Sequence, residues 1–216
     1  MFELAMVFGF GALTLHATRH KDDEILLPPK IGDKVGKLWK IAHQGMRENR
    51  LLRAEKALLS ILQMDQKNAP AYNRLGILYA KQKEYKDAID CFEIASSIEP
   101  TASSLHNLGL IYFETENFVK AAAAFEQALK LEEELAARHI AYAKVQEQLG
   151  NSKLMLQELE RAVELEPNNE SYNLLIKAYF SLGMEAEADI TGDKLKKHIT
   201  PSGGSKRVVR ARRVVV

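Results

Sequence analysis

Cysteine is nearly missing from this chain of 216 residues: Cys91 stands alone. No internal disulfide can form, no cysteine-based metal cluster is possible, and the usage fits a reducing compartment. Set between Asp90 and Phe92 in a helical stretch, Cys91 reads as a small packing residue, not a nucleophile. Proline (6) and glycine (12) are scarce and clustered, so they act as punctuation. Aromatic residues reach only 7%, while Ala, Leu, Glu and Lys abound, which points to helix over sheet. No nucleotide loop, nucleophile elbow or HExxH run occurs, so an enzyme is not expected and no cofactor is implied.

A dominant charge is lacking too, the formal net charge being +1. The balance conceals an asymmetry. Lys206, Arg207, Arg210, Arg212 and Arg213 lie together without an acid among them, and removing these five leaves about −4 for the rest. Residues 199–216, ITPSGGSKRVVRARRVVV, hold Pro201 and Gly203-Gly204 and are expected to form a flexible basic tail. Its cations suit an anionic surface such as lipid headgroups. The closing VVRARRVVV could also pair as a strand on a partner, and the plain reading is a solubilising tail. A nucleic-acid partner is not expected, because no aromatics interleave the basic run.

Long apolar runs are absent with one exception, LAMVFGFGALTLHAT at residues 4–18. A cleaved signal would carry cations first, whereas here Glu3 precedes and Arg19, His20 and Lys21 follow. At about 1.5 Å per residue the run is short for a bilayer core of about 30 Å, and Met1 and Phe2 bring it near the lower limit. Because the run 4–18 is almost wholly apolar and shows no wet face, residues 1–21 read as an apolar helix and signal anchor, Arg19 and Lys21 holding the body cytoplasmic. The alternative is a hydrophobic cap on the end of the folded body. Residues 22–34, DDEILLPPKIGDK, contain Pro28-Pro29 and read as a linker.

The body repeats itself. Leu75-Gly76 recurs as Leu108-Gly109, Tyr79 as Tyr112, Ala88 as Ala121, Phe92 as Phe125 and Ala95 as Ala128, each pair 33 apart. Ala54, Leu58 and Ile61 lie 34 before Ala88, Phe92 and Ala95, and Leu159 and Ala162 lie 34 after Phe125 and Ala128. Tyr72, Leu75, Gly76 and Tyr79 share one face of a first helix, and Ala88, Phe92 and Ala95 one face of a second. Short polar turns at 81–85, 114–118, 149–152 and 182–186 divide them. Such a helix pair cannot bury its apolar face alone, so neighbours must stack.

On these residues the stretch AYNRLGILYAKQKEYKDAIDCFEIASSIEP (71–100) resembles a tetratricopeptide repeat (TPR), and SLHNLGLIYFETENFVKAAAAFEQALKLE (104–132) is similarly close. Residues 136–168 and 169–198 resemble weaker copies, with Met155 where Ala is usual and Gly192 where an aromatic is usual. Residues 35–68 resemble a degenerate first copy. The resemblance implies an all-α, right-handed solenoid of about five helix-turn-helix repeats over 35–198 (35–68, 69–101, 102–135, 136–168, 169–198) that binds another protein or an extended peptide.

In this family the first helices line a concave surface. The resemblance therefore nominates Trp39, Lys40, His43 and Arg47; Asn73, Arg74, Ile77 and Lys81; His106, Asn107, Leu110, Phe113 and Glu114; Ile140, Lys144 and Glu147; and Asn173, Lys177 and Phe180. Six cations against two acids imply an acidic or C-terminal carboxylate ligand. Asn73 and Asn107 suit a peptide main chain, and Trp39 and Phe113 suit apolar anchors. The family's two-carboxylate clamp is not expected, because only Asn107 fits it and Ala137 and Ala141 stand where Lys and Arg are needed. His43, His106 and His139 fall in separate repeats without a ligand set, so no metal is expected.

Overall fold

The computed structural model describes residues 29–199, with side chains from residue 32 onward. The apolar run 4–18 and the basic residues 206–213 therefore lie outside the described residues. Within 29–199 the sequence period becomes five helix pairs: α1 (Pro29–Arg47) with α2 (Leu51–Met64), α3 (Ala69–Gln82) with α4 (Tyr85–Ile98), α5 (Ala102–Glu114) with α6 (Phe118–Leu131), α7 (Ala136–Gln148) with α8 (Ser152–Leu165), and α9 (Asn169–Ser181) with α10 (Glu185–Ile199). Among the described residues there is no strand.

The start of α1 corrects one expectation. Pro28-Pro29 does not keep an extended linker running to residue 34, because α1 begins at Pro29. A proline in the first turn gives up an N–H that no helix bond uses, and its φ already suits the helix. Three of the other first helices, α3, α5 and α9, begin at side-chain caps, whereas α7 begins behind Leu135 without one. Asn68 accepts from the Ala71 N–H, while Thr101 with Ser104 and Asn168 with Ser171 form reciprocal capping boxes.

Each hairpin between paired helices has one residue in the left-handed region: Asn49, Lys83, Glu116, Gly150 and Gly183. Only the last two carry no Cβ penalty there.

Inside a pair, a small residue on one helix receives a bulky one from the other. A Cβ built on Gly76 would lie 2.7 Å from the Phe92 ring, and one on Gly109 would lie 2.9 Å from Phe125. Both rings are buried. Between pairs the seam is part polar. The tyrosines of α3, α5 and α9 donate to carboxylates on the preceding helix: Tyr79 to Glu55 (3.1 Å), Tyr112 to Glu93, and Tyr179 to Glu160 (2.6 Å). Burial and these bonds push Tyr79 and Tyr179 up to about 12, so the phenols remain donors.

The seam before α7 is built differently. Gln146 stands where Tyr112 and Tyr179 stand in their pairs, and it accepts from Asn151 at 2.7 Å. Arg138, only 1% exposed, donates to the Glu132 carbonyl and at 3.1 Å to its carboxylate. His139, also buried, meets Glu158 Oε2 at 2.6 Å through Nδ1 and the Glu133 carbonyl at 2.7 Å through Nε2. Both ring nitrogens face only acceptors, so both bonds form when the ring is an imidazolium. Burial pulls its pKa down, but the bonds to Glu158 and the Glu133 carbonyl outweigh it and the net direction is up.

No described helix is long and apolar enough to cross a membrane. Cys91 is buried, and burial with nearby Asp87 and Asp90 pushes its thiol up to about 11, which suits packing and not nucleophilic chemistry.

Candidate peptide-binding groove

α3 touches α5 and α5 touches α7 across the stack, so first helices of successive pairs come together on one side and form its inner wall. Side chains that point away from the paired second helix project from this wall. Two recesses open on it.

The first lies between α1 and α3. Lys40, His43, Met46, Arg47, Arg74, Ile77 and Lys81 line a space of about 650 Å³. No carboxylate lines it. Among the described residues none of Lys40, Arg47, Arg74 or Lys81 makes an ion pair with an acid, and all four are exposed. Met46 and Ile77 give the space an apolar floor. Trp39 stands beside it, half-buried, with its ring edge-on to His43 at 5.4 Å.

The second recess, of about 230 Å³, lies between α7 and α9. Ala143, Met155, Leu159, Leu174 and Ala178 form its apolar bottom, and Phe113, Lys144, Glu147 and Lys177 stand around it. Its origin is a substitution in the repeat. Where the second and third pairs hold Phe92 and Phe125, the fourth holds Leu159, a smaller side chain facing Ala143.

Between the recesses, Asn107 donates to Asn73 at 3.2 Å, so the two asparagines bridge α5 and α3. His106 is placed differently from the other nominated side chains. It lies edge-on to Phe125 at 5.4 Å, with Nδ1 buried and without a partner. Burial, and then Arg138, lower its pKa. It packs inward and does not join the cations of the groove. Leu110 and Phe180 are exposed, while Ile140 packs against the apolar cluster of Ala143, Met155 and Leu159. Among the described residues no group of three or more His, Cys, Asp and Glu side chains could hold a metal ion.

Sequence reasoning missed the Arg138 and His139 bonds. The available signal was His139 and Gln146 at positions filled by apolar or tyrosine residues in the stronger repeats, with Glu158 available on α8.

Comparison with known families decides what kind of repeat this is. Two models described as tetratricopeptide repeat match residues 69–101 and 100–166. Residues 69–166 are tetratricopeptide repeats. No curated protein sequence matches the chain. Among solved structures, the chain is similar to a MamA protein with a TM-score of 0.70 at 19% identity, over 81% of this chain and 98% of that one. A MamA structure covering residue 41 to the end, from Desulfovibrio magneticus RS-1, aligns with a TM-score of 0.70 at 14% identity, over 80% and 99% of the two chains. YrrB, described as a TPR protein with an unusual peptide-binding site, aligns with a TM-score of 0.63 at 22% identity, over 74% and 84%. At such identities these likenesses speak for the fold. The matched repeats build a scaffold of stacked helix pairs with an open inner wall.

Proposed function

We propose that the inner wall of this TPR array captures an extended acidic segment of a partner protein. The observation that carries the reading is the α1–α3 recess, where Lys40, Arg47, Arg74 and Lys81 converge with His43 and no acid answers them. A ligand carboxylate entering there gains charge-assisted hydrogen bonds from Arg and Lys without displacing an existing ion pair. Asn73 and Asn107 can turn from their mutual bond to a ligand's main-chain groups. The α7–α9 recess takes one apolar side chain of about leucine size, with Lys144 and Lys177 beside it for a neighbouring carboxylate. The likeness to YrrB, described by its peptide-binding site, is in keeping with this use of the fold.

The reading requires no membrane. A tether through residues 4–18 would bring the groove to a bilayer without changing what it binds.

The test is fluorescence anisotropy with a labelled peptide of alternating Asp/Glu and Gly carrying one Leu, against the same peptide with Lys for each acid. The acidic peptide binds more tightly, and raising salt weakens it. Arg74→Glu together with Lys40→Glu lowers its affinity roughly tenfold, about 1.4 kcal/mol, while circular dichroism is unchanged. Equal binding of the two peptides, or an unaffected double variant, overturns the proposal.

A further inference from the structure

The first helix pair leaves open a face that the second pair has covered. In the second pair Leu75 and Cys91, with Tyr72 beside them, join one apolar cluster with Ala57, Leu58 and Ile61 of the preceding helix α2. The residues 34 earlier are Ile41, Ala57 and Leu38, and no described helix precedes them. With Leu51 and Leu52 they line a groove of about 630 Å³, edged by Arg50, Arg53, Lys56 and Ser60. Leu52 is 64% exposed. The groove thus has the form of a seat for the second helix of a preceding pair. The second helices α2, α4, α6 and α8 are each 14 residues long.

The chain itself holds a segment of that size and character. Residues 4–18 are almost wholly apolar, and ten residues separate them from Pro29. Ten extended residues reach about 33 Å, enough to bring the run back alongside α1. Each second helix lies antiparallel to the first helix after it. The same arrangement sets Glu3 toward the start of α2, where Arg53 makes no ion pair among the described residues.

We infer that residues 4–18 of this chain occupy the groove between α1 and α2, antiparallel to α1, and close the open end of the TPR stack. Covering Leu38, Ile41, Leu51 and Leu52 removes apolar surface from water, as α2 does for Leu75 and Cys91.

Cross-linking in the full-length chain tests this, with Cys91→Ala removing the native thiol. Leu4→Cys, Val7→Cys and Leu13→Cys are each combined with Leu52→Cys and oxidised mildly. The expected result is a disulfide within one monomer, formed best from Leu4 or Val7, with a yield that does not change on tenfold dilution. Adding Ile41→Glu suppresses it. In the unmodified full-length chain, amides of α1 and α2 exchange more slowly than in a chain lacking residues 1–21, by on the order of tenfold.

Disulfides that form only between chains overturn the inference in favour of a second copy. So does the absence of any cross-link, including when the chain floats with phosphatidylcholine–phosphatidylglycerol vesicles, which assigns residues 4–18 to the bilayer. Acidic-peptide binding at Lys40 and Arg74 is read separately, so failure of either proposal leaves the other standing.

Discussion

Replacing Gly76 by alanine puts a methyl group into the Phe92 ring. The added Cβ lies 2.7–2.8 Å from three ring atoms, where real contacts are essentially never found. Phe92 is 1% exposed and cannot swing into solvent. Overpacking of this kind costs about 1–3 kcal/mol. Helix propensity offsets about 1 kcal/mol of it, so Gly76→Ala should destabilise by roughly 0–2 kcal/mol. Phe92→Leu alone leaves a void and costs roughly 1–2 kcal/mol. Together the two reproduce the pairing the chain already uses at Ala143 and Leu159. The double variant should therefore lose less than the sum of the singles, by about 1 kcal/mol. Urea unfolding followed by circular dichroism measures all four proteins, with equal slopes required before midpoints are compared. Additivity within about 0.3 kcal/mol would refute the reasoning. So would a Gly76→Ala variant more stable than the parent by the full helix-propensity gain.

Buried His139 and half-buried His106 give opposite pH dependence. The raised pKa of His139 contributes stability that is complete below its ordinary 6.5 and lost as pH rises through the folded value, so His139→Gln should flatten the alkaline decline in melting temperature. The lowered pKa of His106 contributes stability present above 6.5 and lost as pH falls, so His106→Phe should flatten the acid decline. Lys83 and Glu116 sit at positive φ, and Lys83→Gly and Glu116→Gly should each stabilise by up to about 1 kcal/mol in thermal melts. Tyr179→Phe removes the bond to Glu160 across the last seam and should cost about 1 kcal/mol, read in the same melts.

The repeat was legible because its decisive contacts are between residue types that little else explains. A glycine 16 residues before a phenylalanine, twice, at a 33-residue period, leaves few arrangements besides a close helix pair. The start of α1 was misread because Pro28-Pro29 carries the same letters whether it ends a helix or opens one. The groove cations were legible by alignment, since exposed positions on a repeat follow its period. His106 was not, because its neighbour Arg138 comes from the next pair and nothing local to His106 announces it. The Arg138 and His139 bonds escaped for a different reason. Their carbonyl partners are backbone atoms of the 132–135 loop, which a reading of side chains does not include. The recess between α7 and α9 depends on Leu159 being smaller than Phe125, a difference visible in the sequence but without meaning until the facing Ala143 is in place.

The two recesses differ in kind and sit toward opposite ends of the array, one a nest of positive charge and the other a greasy slot. A strand laid through both meets them in a fixed order. Reversing it would set its fatty side chain against four cations and its acids against hydrocarbon. On the proposed binding mode the wall is a one-way track, and whatever is fused to the two ends of its guest is delivered to two different, predetermined sides of the scaffold.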